Sequence, residues 1–277
     1  MEFWIKVLQL LDSDMTTPGC YSLFHIAFFA ASILTTVYLC VFRKNDSADR
    51  VRKVVFLLSV AVVLLEIYKM INYSFSYEDG TVKFDFQWYA FPFQFCSTPM
   101  YVGILAGLIK KGKVHNALCA YLATYSVFAG LCVMVYPGDV FIGTIGINIQ
   151  TMICHGIMLP IGAYLFATGH VKLEHKTILK ALCVFAVAVG IAMILNEVAH
   201  ATGLLETDTF NMFYISPYCD PHLPVYSTVQ ELIPYPLSLI IYIAGFTAAA
   251  YLVLLASMGI HRLAAGKKAP AEVTAAK

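Results

Sequence analysis

Polar side chains are scarce in this sequence, so those able to do chemistry stand out. Cys96 lies in the run Phe91-Pro92-Phe93-Gln94-Phe95-Cys96-Ser97-Thr98-Pro99, at the head of an expected helix. There the helix dipole and free N–H groups favour an anion. A thiol so placed becomes a nucleophile if a base is near, with Ser97 as second choice. The candidate base is His155, which closes the stripe Asn148, Thr151, His155 at i, i+3, i+7 on one helix face. Gln94, Asn148 or the amides at the helix head would then stabilise an oxyanion. The same residues also have structural readings: a buried Cys acting as a small hydrophobe, and a His hydrogen-bonded across helices.

Further ionisable groups lie in apolar surroundings. Glu66 and Lys69 are three residues apart on one helix face with Tyr73 and are expected to pair. Asn196-Glu197-Val198-Ala199-His200 contains Glu-x-x-His, a pattern also used in helical di-metal sites. Those sites need two copies and only one is present, so capping and hydration of a helix end are the ordinary reading. His25 is expected near a membrane interface. Cys20 and Cys219 fall in segments expected on one side and are candidates for a disulfide if that side is oxidising. The remaining cysteines show no CxxC spacing, and no metal or other cofactor is expected.

The elements that must position these groups are apolar helices. Of 277 residues 60% are hydrophobic and 13% charged, against roughly 45–50% and 25% in soluble domains. Apolar runs near twenty residues are expected to span a membrane over 21–42, 54–72, 91–109, 115–136, 147–167, 178–200 and 235–258. The fold class expected is therefore an all-α membrane bundle of about seven helices. Residues 21–258 form that domain, 1–16 an interfacial amphipathic helix carrying Phe3, Trp4, Val7, Leu8 and Leu11 on helical spacing, and 259–277 a cytoplasmic tail. The end of the tail, from Ala264, is small and polar and is expected to be disordered.

Charge sets a direction. Fifteen of the eighteen Lys and Arg residues fall in alternate connections or the tail, leaving Lys6, Lys69 and Lys83. The positive-inside bias then puts the N-terminus outside and the C-terminus in the cytoplasm of a cell-membrane protein. On that topology Glu66, Cys96, His155, Asn196, Glu197 and His200 share the outer half of the membrane, which suggests one cavity. The outer connections are also distinctive. Asp79-Gly80 between alternating apolar residues predicts a type I′ hairpin pairing Tyr77 with Val82 and Phe75 with Phe84. Residues 201–234 are rich in Pro and Tyr, contain no Lys or Arg, and are expected to form a lid or cap. A net charge of +1 without an aromatic-studded basic patch gives no reason to expect nucleic acid. Membrane lipids, including a lipid or acyl substrate, are the expected partners.

Glu66 with Lys69, Pro92-Phe93-Gln94-Phe95-Cys96, Ile149-Gln150 ahead of His155, and Asn211-Met212-Phe213-Tyr214 with Pro217 and Asp220-Pro221 form an ordered set. In these the chain resembles the YwaF-like family of bacterial integral membrane proteins and, more distantly, an animal TMEM-type phospholipid acyltransferase. The resemblance covers most of the chain, from the second expected span to the last. It implies lipid acyl transfer through a Cys on the third span and a His on the fifth, the latter matching His155. In the animal pattern Phe93 and Gln94 stand where Cys and His would be, whereas the bacterial pattern places a Cys at Cys96. An acyltransferase or ester hydrolase is thus the leading expectation, a catalytically silent scaffold the second and a small-solute transporter or binding component the third.

Overall fold

A computed structural model describes residues 1–138, 140–203, 209–220 and 223–266. Six helical segments are long and apolar enough to cross a membrane: Leu23–Phe42, Ala48–Ser74, Lys113–Val135, Ile145–Ala167, Lys176–Thr202 and Tyr235–Ala264. In chain order the helices are α1 (Glu2–Leu11), α2 (Leu23–Phe42), α3 (Ala48–Ser74), α4 (Thr98–Leu108), α5 (Lys113–Tyr121) and α6 (Val127–Val135). They continue as α7 (Ile145–Gly156), α8 (Met158–Ala167), α9 (Lys176–Thr202), α10 (Pro224–Leu232) and α11 (Tyr235–Gly266). The part of the expected tail beyond Gly266 lies outside the described residues, as does Pro221. Leucine, valine and phenylalanine cover the outer faces, as a lipid-facing surface requires.

Helix ends follow local chemistry. The Ser22 and Ser47 hydroxyls accept from the His25 and Arg50 amides at the heads of α2 and α3. Gly203 ends α9 in the left-handed conformation. The strands β1 (Phe75–Glu78) and β2 (Thr81–Phe84) pair with Phe75 opposite Phe84 and Tyr77 opposite Val82. Asp79 and Gly80 at the turn both have positive φ, as a type I′ turn requires. The predicted hairpin register is the observed one.

The expected span over 91–109 takes a different form. Pro92 and Pro99 restrict helix to Thr98–Leu108, eleven residues or about 16 Å. The preceding residues follow an irregular path. Segment and helix together still run the length of α3, antiparallel to it. Pro92 shares a groove with Ser74, and at the other end Arg52 donates to the Gly107 carbonyl at 3.0 Å. Gly103 and Gly107 make this packing possible, because a Cβ at either would collide with Ser59 or Phe56.

The core lies among α5, α8, α9 and α11, where Tyr121, Tyr125, Tyr164, Phe185 and Phe213 are fully buried. A π-helical turn, Leu122–Ser126, interrupts the span between α5 and α6. Beside it the Tyr121 and Thr98 hydroxyls bond at 2.6 Å and those of Tyr125 and Thr247 at 2.8 Å.

A candidate polar site beneath the hairpin

The fifth span breaks where its histidine sits. Pro160 has no N–H to offer the Gly156 carbonyl four residues earlier, and the Ser32 hydroxyl takes that role across the interface at 2.6 Å. The helix therefore divides into α7 and α8 at Ile157. On the far side, Gly130 lets α6 approach the His155 carbonyl so closely that a Cβ there would lie 2.6 Å from it. His155 thus sits at the last turn of α7, its backbone clamped.

Its ring is oriented as well. Nδ1 donates to the Thr151 carbonyl at 2.8 Å, since a carbonyl oxygen can only accept. That fixes the neutral tautomer with its lone pair on Nε2, the nitrogen able to take a proton. Half-buried His155 lies within electrostatic reach of Glu66 and Lys69. Those two form the expected ion pair, Lys69 Nζ on Glu66 Oε1. The second carboxylate oxygen accepts from Gln150 Nε2 at 3.0 Å, and the same amide contacts the Cys154 thiol at 3.5 Å. Thr151 donates to Gln150 Oε1 at 3.3 Å. A charged pair buried in a membrane needs this kind of saturation.

Cys96, also half-buried, adjoins Ser97 and lies within electrostatic reach of Glu66, Lys69 and Cys154. The structure so gathers Glu66, Lys69, Cys96, Ser97, Thr151 and His155 in one neighbourhood. Among the described residues no hydrogen bond joins Cys96 to His155. Gln150 and Cys154 belong to the same neighbourhood; sequence reasoning gave Gln150 no role of its own and left Cys154 among the scattered cysteines. One turn from Cys154 and within reach of the expected Glu66, Gln150 could have been found by helical spacing.

Glu66 also lines an apolar groove of about 350 Å³ between α3, the hairpin and the head of α4, with Met70, Phe75, Phe84, Pro92 and Tyr101. It is the one carboxylate on that wall, which otherwise suits hydrocarbon. A wider groove of about 730 Å³ between α9 and α11 is also apolar, with His175 and Lys176 on its lining.

The other predicted residues make structural hydrogen bonds. Gln94 donates to the Asn211 carbonyl at 2.9 Å and accepts from the Phe213 amide at 2.8 Å. Asn196 bonds both backbone groups of Met212, at 3.1 and 2.8 Å. Asn211 accepts from the Ser216 amide at 2.9 Å. Tyr242 and Tyr235 donate to the Phe213 and Ile215 carbonyls at 3.0 and 2.7 Å. Residues 210–216 therefore form a plug, buried except at Tyr214, with Phe213 and Tyr214 both at positive φ. This part of the loop expected to form a lid or cap is ordered by those bonds, while 204–208, 221 and 222 lie outside the described residues.

Glu197 accepts from the Tyr218 hydroxyl at 2.8 Å, and His200 stacks on the Tyr218 ring. That hydrogen bond to a carboxylate, helped by burial, holds the Tyr218 hydroxyl above its usual range. Asn148 clasps the Ile142 amide and carbonyl at 2.9 and 2.7 Å, closing the turn before α7. His25, at the first turn of α2, is buried within the protein. Its Nδ1 accepts from the Tyr21 amide at 3.0 Å and its Nε2 donates to the Met134 carbonyl at 2.9 Å, which uses both nitrogens. Among the described residues no disulfide joins any of the eight cysteines, Cys20 and Cys219 included.

A family model described as the TMEM164 family matches residues 20–256. No curated protein and no solved structure matches the chain. The match takes in every one of the six long apolar helices except the last few residues of α11. This chain is a multi-pass membrane protein and belongs to the TMEM164 family.

Proposed function

We propose that this protein is a lipid-directed acyltransferase or ester hydrolase with a Cys96–His155 site opening toward the outer leaflet of a cell membrane. The observation that carries the reading is His155, its Nδ1 held on the Thr151 carbonyl so that Nε2 can act as a base, sharing with Cys96 the surroundings of the Glu66–Lys69 pair, where an apolar groove reaches the same carboxylate. A phospholipid acyl chain suits the groove, and its ester carbonyl would sit at the cluster. His155 Nε2 takes the Cys96 proton as sulfur bonds to the carbonyl carbon. The ester C–O bond then breaks and the imidazolium returns the proton to the departing alkoxide, leaving a lysolipid and a thioester. Water or the hydroxyl of another lysolipid resolves the thioester by the reverse proton movements. A thiol and imidazole not yet bonded agree with catalytic contacts that tighten only around substrate.

The topology within this proposal has seven crossings, the third made by the irregular segment 91–97 continued by α4. Non-helical backbone at membrane depth is tolerated where protein buries it. The groove and the plug support that arrangement by flanking this segment. The N-terminus then lies outside and the C-terminus in the cytoplasm, in line with the basic connections.

The silent-scaffold reading is favoured by Gln94, whose amide is wholly engaged with the plug, and by Phe93 beside it. A thiol-reactive phospholipid analogue separates the two. Labelling of Cys96 that disappears in His155→Ala supports the enzyme. Equal labelling with and without His155, or none, supports the scaffold.

A further inference from the structure

At the opposite end of α3 from Glu66 lies a second group of titratable side chains, to which the proposed reaction gives no part. His115 and Cys119 sit one turn apart on α5, and His170 follows α8 just after Gly169, whose φ of +70° turns the chain back. His115 Nε2 lies 3.2 Å from His170 Nε2 and 3.5 Å from Cys119 Sγ. All three ligand atoms fall within 4.8 Å of one another.

We infer that His115, Cys119 and His170 bind a zinc-class divalent cation. Tetrahedral zinc, with Zn–N near 2.0–2.1 Å and Zn–S near 2.3 Å, sets neighbouring nitrogens about 3.4 Å apart and nitrogen and sulfur about 3.6 Å apart. The observed edges match both. His115 Nδ1 bonds the Ala106 carbonyl at 3.1 Å, so Nδ1 carries the ring proton and the Nε2 lone pair points at the other two ligands. Metal-bound histidines are oriented in just this way by a partner on the far nitrogen. Thiolate plus imidazole selects zinc over magnesium or calcium, which take oxygen ligands.

Three protein ligands leave a fourth position. His115 and Cys119 are buried and His170 is half-exposed, so that position and the entry path lie on the His170 side. The nearest guanidinium, Arg52, is held by Asp49 at 2.6 Å and by the Gly107 carbonyl, which offsets its charge. Arg52 and Glu66 are fourteen residues apart on α3, about 21 Å along its axis. The ion is therefore no part of the Cys96–His155 chemistry. It ties the head of α5 to the turn between α8 and α9 at the basic end of the molecule. Sequence reading expected no metal because it found one Glu-x-x-His and no CxxC spacing, while His170 lies beyond a further expected span from α5.

The test is zinc content of the purified full chain by mass spectrometry after desalting, together with cobalt substitution. About one zinc per chain is expected, falling to background in Cys119→Ser and in His170→Asn. Cobalt should give a thiolate charge-transfer band that Cys119→Ser abolishes. His170→Asn replaces a half-exposed ring, so its folded fraction can be checked by size-exclusion chromatography. A wild-type chain that keeps neither metal, or folded variants that keep zinc at the wild-type level, would overturn the inference, leaving a plain imidazole–imidazole hydrogen bond. Neither result bears on lipid turnover, so the proposed function stands or falls separately.

Discussion

His155 and His115 are oriented by the same device and face different surroundings. Each gives its Nδ1 proton to a backbone carbonyl, Thr151 for one and Ala106 for the other. Each thereby presents an Nε2 lone pair inward. Around His155, among the described residues, that lone pair meets no second ring; a buried ion pair lies near, with a thiol within reach of that pair, and the carboxylate of the pair reaches an apolar groove. Around His115 it meets a second imidazole and a thiol at metal-ligand spacing. His25 provides the contrast, since both its nitrogens are used, Nδ1 by the Tyr21 amide and Nε2 in holding α2 to the Met134 carbonyl. Orientation of a ring is therefore not a sign of function by itself; what the free nitrogen faces decides.

The largest effect that would sharpen this comparison is on turnover. His155→Ala should lower lipid turnover by about 10²–10⁴-fold, the usual contribution of a general base. Its melting temperature should hardly change, because the ring bonds only its own helix. His115→Ala should do the reverse, lowering stability and leaving turnover per folded molecule in place. Thermal melts beside lipid assays on both variants check this pair of outcomes.

Next in size is the ion pair. Glu66→Ala leaves Lys69 uncompensated in the membrane and should destabilise by about 3–5 kcal/mol. Glu66→Leu with Lys69→Met removes both charges and should recover most of that loss, measured by denaturation in detergent. A double variant as unstable as the single one would mean that the pair is not the source of the stability.

The plug gives a smaller effect. Asn196→Ala strips both backbone partners from Met212 and should cost about 1–3 kcal/mol per group left unsatisfied. Thermal unfolding checks it, and a variant as stable as wild type would show that water takes over those bonds.

The smallest expected effect lies at the basic end. Burial of the Asp46 carboxyl opposes its ionisation, but hydrogen bonds from Tyr164, Arg43 and Arg50 outweigh that and hold it below the usual carboxylate range. A carboxylate depressed on folding adds stability above its unfolded value, near 3.9, and loses it as pH falls through the folded one. Melting temperature should therefore fall less steeply below about pH 4 in Asp46→Asn than in wild type.

Much of the frame was legible because periodicity and turn chemistry are local. Asp79-Gly80 specified the hairpin and its register, and hydropathy located six long helices. The third expected span became a short helix because two prolines outweighed an apolar run. Among site residues, Glu66 and Lys69 were readable as neighbours on one helix. Gln94, Asn196 and Asn211 were expected as supporting site residues, and their bonds build the plug, a long-range arrangement that no helical spacing encodes. The His115–His170 contact joins residues 55 apart, and nothing local announces it. The position of His25 near a helix end is local, but the Met134 carbonyl that it bonds comes from another helix and could not be read from spacing.

The most direct test of the central claim is phospholipid turnover by purified protein reconstituted in liposomes, comparing wild type with Cys96→Ala and His155→Ala. Lysolipid formation or acyl exchange by wild type, lost in both folded variants, is the predicted result. Turnover that persists in either folded variant, or that wild type itself lacks across a range of phospholipid classes, would contradict a Cys96–His155 site.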